Sequence, residues 1–125
     1  MLTFAQRERV IEEMATVETG IWVLDHHGKT VAINPAAGRM SGWHPGDIVG
    51  KVSHNIIHHS HADGSLYPIT QCPIYKSVFH QTPAHVEGEV FWRKDRSSFE
   101  VEYVSLPVVQ DDGERGGAVQ HFRAV

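Results

Sequence analysis

Asn34 to Lys51 reads NPAAGRMSGWHPGDIVGK, and Val90 to Tyr103 reads VFWRKDRSSFEVEY. In the first stretch Asn34 and Pro35 open a short helix. Asparagine is a preferred cap, and proline fits the first helical position, where its missing N–H has no partner to lose. Gly42 ends that helix, Trp43 follows, and a run from Asp47 to Lys51 closes the stretch. In the second, Phe99, Val101 and Tyr103 alternate with Ser98, Glu100 and Glu102, the period of a half-buried strand. The polar residues Lys94 to Ser97 mark a turn before it.

Working outward, Ile21 to Leu24 is an apolar run suited to a buried strand, and Thr30 to Ile33 is its return across a His26-His27-Gly28 turn. Residues 3–18 predict an amphipathic helix, with Thr3 and Gln6 placed as a capping box and Val10, Ile11, Met14 and Val17 on one face. Val49 to Ile57 reads equally as helix or loop, and His58 to Pro68 reads as a loop around the Asp63-Gly64-Ser65 turn signal. Residues 70–81 predict the main helix, with Cys72, Tyr75, Val78 and Phe79 on one face. Strands are expected at Val86–Lys94, Ser98–Val109 and Gly116–Val125. The order predicts an α+β antiparallel sheet with helices on one face.

The 125 residues fit one domain with one core, and 41% hydrophobic with 21% charged residues is ordinary for a globular chain. A formal charge of -4 argues against a nucleic-acid partner. No apolar run approaches the length of a membrane span, and no signal peptide is visible. A single cysteine excludes an internal disulfide framework and points to a cytoplasmic location.

The two opening stretches, in this order of elements, resemble the PAS domain over about Glu18 to Arg123. The segment HHSHADGSLYPITQCPIYKSVF is similar to a PAS subgroup of bacterial multidomain signalling proteins, such as histidine kinases and cyclic-di-nucleotide enzymes. The resemblance implies a five-stranded antiparallel sheet with helices on one face. It divides the chain into a flanking N-terminal helix, residues 1–18, and a sensor domain, residues 19–125. It also implies homodimerisation, a small-molecule ligand and an attached output domain. There are departures. Arg96 stands where a glycine is usual, which predicts a looser turn, and Glu100 stands where a proline is common. The closing Asp-x-Thr motif is missing after Phe122 and Arg123, which suggests a piece of a longer protein.

Several groups of residues are candidates for chemistry. His54, His58, His59 and His61 cluster, with Asp63 and Cys72 downstream. Imidazole and thiolate suit zinc, copper or iron, so His58, His59, His61 and Cys72 are the candidate ligands. The expectation set against a metal is the simpler one, a polar loop ordered mainly by hydrogen bonds from its histidines. Haem would require Cys72, His80 or a loop histidine as axial ligand. Flavin lacks its usual cysteine context, because Cys72 lies in Gln-Cys-Pro-Ile, where a small buried side chain is the simpler reading. Glu87 with Glu89, and Glu100 with Glu102, are two apart on strands and read as solvent-facing, so no catalytic motif is found. Trp22, Leu24, Ile33, Met40, Tyr75, Phe79, Phe91, Tyr103 and Phe122 are expected either to line a pocket or to fill it. The expectation is a non-enzymatic sensor that shifts between populations and relays to an output domain. The alternatives are a ligand-free dimerisation module and a metal- or haem-based redox or gas sensor.

Overall fold

The computed structural model describes residues 2–13 and 18–125. Its elements are β1 (Leu2–Thr3), α1 (Phe4–Glu13), β2 (Gly20–Leu24), β3 (Thr30–Ile33), α2 (Pro35–Ser41), α3 (Pro45–Ile48), α4 (His54–Ile57), a 3-10 turn (Ile69–Gln71), α5 (Pro73–His80), β4 (Ala84–Trp92), β5 (Ser98–Val109) and β6 (Arg115–Ala124). The main sheet runs β3-β2-β6-β5-β4, with every neighbouring pair antiparallel. A sixth strand, absent from the sequence reading, is the two-residue β1, which pairs in parallel with Val108 and Val109 of β5.

Local chemistry explains the α2 turn. Asn34 Oδ1 accepts from the backbone N–H of Ala37 and of Ile21, both at 2.9 Å, and Nδ2 donates to the Thr19 carbonyl at 2.8 Å. One buried side chain thus caps α2 and ties it to the start of β2. The capping box of α1 also forms, Thr3 N–H donating to Gln6 Oε1 at 2.8 Å and Gln6 N–H to Thr3 Oγ1 at 3.1 Å.

Each face of the sheet has its own apolar cluster. Under the helices, Trp22, Leu24, Ile33, Ile57, Val78, Phe91, Tyr103 and Phe122 belong to one buried cluster. On the opposite face Ile21, Val23, Val108 and Val119 are covered in part by Leu2, Val10 and Ile11. Val10 and Ile11 of the expected dimer stripe therefore pack on their own sheet; Met14 and Val17 lie outside the described residues.

Three local expectations change. α5 begins at Pro73, and its buried stripe is Ile74, Ser77 and Val78, with Tyr75 and Phe79 half-buried beside it. The turn at Arg96 is not loose: Arg96 takes φ 71, the Arg93 N–H donates to the Ser97 carbonyl at 2.7 Å, and Asp95 Oδ1 accepts from the Ser97 N–H at 2.9 Å. The residue does what glycine would do there, under strain. The segment 58–68 is a small hairpin, bridged at Ser60 and Leu66 and closed by the His61 N–H donating to the Ser65 carbonyl at 2.8 Å.

Candidate functional site

Between the helices and the sheet lies a buried polar cluster. α4 is a single turn, so His54 and His58, four residues apart, project to the same side, and the His58 N–H donates to the His54 carbonyl at 3.2 Å. Cys72 occupies the position just before Pro73 at the start of α5. Cys72 and His58 are both 0% exposed, and His54 is 7% exposed. His58 Nδ1 lies 3.1 Å from Cys72 Sγ, and His58 Nε2 lies 2.9 Å from Glu89 Oε1.

Glu89 reaches this interior because β4 carries a bulge. The pairing shifts register between Val86, opposite Tyr103, and Glu89, opposite Val101. Gly88, at φ 80, absorbs the extra residue. Without the bulge, alternation would turn Glu89 outward with Glu87; with it, Glu89 shares the inner face with Phe91. Its carboxylate accepts from Tyr67 Oη at 2.8 Å and from Tyr103 Oη at 2.9 Å, besides facing His58. Only Glu87, Glu100 and Glu102 keep the expected outward placement; Glu102 pairs with Arg123 and His85.

The electrostatics follow from this packing. Burial opposes a charge on His58, but Cys72 and Glu89 outweigh it and raise its pKa to about 9. Burial also opposes a thiolate at Cys72; His54 and His58 outweigh it and bring the thiol down to about 6. Glu89 is held below the usual carboxylate range, burial being overcome by His58 and Tyr67. Burial and the Glu89 charge push the Tyr67 and Tyr103 phenols up, so both remain donors. These directions favour a thiolate at Cys72, an imidazolium at His58 and a carboxylate at Glu89, in a chain that joins α5, α4 and β4.

The four metal-ligand candidates are thus divided. His58 and Cys72 meet, together with His54. His59 instead stacks on Trp92 at 5.5 Å with Nδ1 2.8 Å from Ser60 Oγ, and exposed His61 stacks on Tyr67 at 4.2 Å. The sequence signal for His54 was its spacing from His58, one helical turn. The signal for Glu89 was a glycine within a strand, which often marks a bulge.

The nine pocket candidates are packed together. Trp22, Leu24, Ile33, Phe91, Tyr103 and Phe122 are buried in the core, and Met40, Tyr75 and Phe79 lie against it, half-buried. A cavity of about 20 Å³, bordered by Leu24, His54, Tyr75 and Phe79, remains among them. That is room for about one water molecule. A larger cleft of about 350 Å³ opens on the outer side of the cluster, lined by His58, His61, Asp63, Tyr67, Glu89 and Val90.

Asp47 lies 3.6 Å from the Lys94 ammonium; the α3 cap is His44, whose Nδ1 accepts from the Gly46 N–H at 3.3 Å. Lys51 acts through its backbone, its carbonyl accepting from the Thr30 N–H at 2.8 Å.

Comparison with known proteins agrees with this architecture. The PAS domain of a protein from Colwellia psychrerythraea superposes with a TM-score of 0.74 at 18% identity, over 95% of this chain and 96% of that one. The PAS domain of nitrogen regulation protein NR(II) from Vibrio parahaemolyticus gives 0.64 at 16% identity, over 91% and 95%. The fungal blue-light photoreceptor Vivid, in its light-state dimer, gives 0.67 at 17% identity, over 86% and 78%. The curated proteins contain no match to the sequence. The family description "PAS fold" matches residues 5–123, nearly the whole chain, and the chain belongs to the PAS family.

Proposed function

We propose that this domain is a sensor and signal-relay module whose sensing centre is the buried cluster of His54, His58, Cys72 and Glu89. The observation that carries the reading is the hydrogen-bonded chain from Cys72 through His58 to Glu89, which joins a helix start to the sheet. A chemical change at the sulfur alters the charge on His58. That alters the hold on Glu89 of β4 and, through Tyr103, on β5. β5 pairs with β6 and with β1, which leads into α1. These terminal elements carry the change to an attached output domain as a shift of population. The domain itself performs no catalysis, as is general for the family.

The cavity left under the helices, about 20 Å³, is far below the roughly 300 Å³ at which sites for organic molecules begin, so the sensing we propose does not draw on a flavin or haem held there. Among the described residues no helix is long and apolar enough to cross a membrane, and a cytoplasmic, bacterial signalling protein is the setting we infer. A homodimer is the assembly we infer, with the half-covered outer face around Leu2, Val10, Ile11 and Val31 as its contact. Vivid, a relative in fold, was captured as a dimer.

Amide hydrogen exchange on the wild type and Glu89→Gln tests the relay. Faster exchange in β5, β6 and α1 is expected. Changes confined to residues touching position 89 would contradict it.

A further inference from the structure

The two histidines of the cluster are prepared alike. His54 Nε2 lies 2.8 Å from the Tyr67 carbonyl, an acceptor only, so Nε2 carries the proton and donates. His58 Nε2 lies 2.9 Å from the Glu89 carboxylate and donates as well. Each imidazole is therefore held by an outer acceptor at Nε2 and offers Nδ1 inward. A histidine that ligates a metal is held in this way, its second nitrogen fixed by a carboxylate or a backbone carbonyl. His54 Nδ1 is buried beside Cys72, on which His54 acts, and makes no hydrogen bond of ordinary geometry. A buried nitrogen so weakly satisfied is uncommon in a folded interior. The ligand atoms of His54, His58 and Cys72 all lie within 4.8 Å of one another. Around a tetrahedral ion with ordinary zinc–nitrogen and zinc–sulfur bonds, such atoms sit roughly 3.3–3.6 Å apart. Small side-chain rotations close the difference.

We propose that His54 Nδ1, His58 Nδ1 and Cys72 Sγ form a three-ligand site for a borderline late transition-metal ion, zinc(II) first. The inference deepens the reading of this cluster as the sensing centre. Two imidazoles and a thiolate are the donor set such ions prefer over magnesium or calcium. Three protein ligands leave a fourth position for water or a small exogenous ligand, the arrangement of open rather than purely structural zinc sites. The cleft lined by His58, Tyr67 and Glu89 opens beside the site, on the side of the ring that His58 turns to Glu89. Binding releases one proton, the one that His58 Nδ1 shares with the sulfur; the thiolate and both neutral imidazoles then coordinate. The ligand atoms of His85, Glu87 and Glu102, on the outer side of the sheet, also lie within 4.8 Å of one another, but these groups are satisfied by one another and by Arg123.

The test uses the full 125-residue chain, reduced and without a histidine tag. Zinc(II) is titrated against a chromophoric chelator, and cobalt(II) is added separately as a spectroscopic probe. The expected result is one equivalent of zinc bound and a thiolate-to-cobalt charge-transfer band with the intense d–d absorption of four-coordination. Cys72→Ala and His54→Ala should each weaken zinc by at least a hundredfold, and Glu89→Gln by roughly ten- to a hundredfold. His61→Ala and His85→Ala should leave affinity unchanged. The cobalt spectrum of the wild type needs no variant, so it decides the matter even if a substitution unfolds the domain. Substoichiometric binding, a cobalt spectrum without the sulfur band, or loss on His85→Ala alone would overturn the proposal. If zinc fails to bind while the hydrogen-exchange relay persists, the metal falls and the sensing centre stands. If zinc binds at Cys72 while the sheet is indifferent to Glu89→Gln, the site stands and the relay falls.

Discussion

His58 Nδ1 stands 3.1 Å from Cys72 Sγ, and neither residue is exposed to solvent. The contact crosses from one short helix to the start of another, and the same imidazole continues to β4 through Glu89. A core that was otherwise packed with aliphatic and aromatic side chains therefore contains one charged thread. A thread of this kind, buried at Cys72 and His58 and partly open only at Glu89, is expensive unless every member has a partner. That requirement makes the cluster sensitive to any change in one member.

The bulge that brings Glu89 inward depends on Gly88 at φ 80. No atom lies within 4 Å of where a Cβ would stand, so the conformation and not space demands glycine. Gly88→Ala is expected to lower stability by about 1–2 kcal/mol. Urea unfolding measures it, and an unchanged midpoint would argue that the bulge is not under this constraint.

Arg96 and Gln81 hold positive φ, 71 and 52, with side chains that disfavour it. Arg96→Gly and Gln81→Gly should each raise stability by about 0.5–1 kcal/mol, part of the relieved strain being offset by the freer unfolded chain. A thermal melt should show each variant a few degrees above wild type; a fall in either would contradict the assignment of strain.

Asn34 satisfies three backbone groups at the junction of β2, α2 and Thr19. Asn34→Ala leaves all three without that partner and should cost roughly 2–4 kcal/mol. Asn34→Asp keeps the acceptor and should cost less. Equal losses in the two variants would show that the cap matters little.

Much of this frame was legible in the sequence because it rests on local chemistry. Asn34 before Pro35 announces a cap, and Ser98 to Val109 alternates over a full strand. β1 was not legible, since two residues carry no period and Leu2 is recruited by Val108 through the tertiary fold. In the site, His58 and Cys72 were foreseeable as ligand types. Their partners were hidden: His59 and His61 lie close to His58 in sequence but turn away from it in the hairpin, while Glu89 lies inward because the bulge reverses its parity.

His121 on β6 has its pKa lowered by burial. A folded-state pKa below the unfolded one means the unfolded chain binds the proton more readily. Stability from this group is full above the unfolded value near 6.5 and falls as pH drops below it towards the lower folded value. His121→Gln should therefore flatten the pH dependence of the unfolding midpoint just below neutrality. Identical profiles for the two proteins would contradict this.

The central claim is that Cys72, His58 and Glu89 act as one unit spanning helices and sheet. A double-mutant cycle between Cys72→Ala and Glu89→Gln tests it most directly, by urea unfolding with a chelator present so that no metal takes part. Cys72 and Glu89 are joined only through the His58 ring in this chain of contacts, so removing either one changes what the other is worth. The account predicts a coupling of roughly 1–2 kcal/mol between the two substitutions. Additivity within about 0.5 kcal/mol would contradict it.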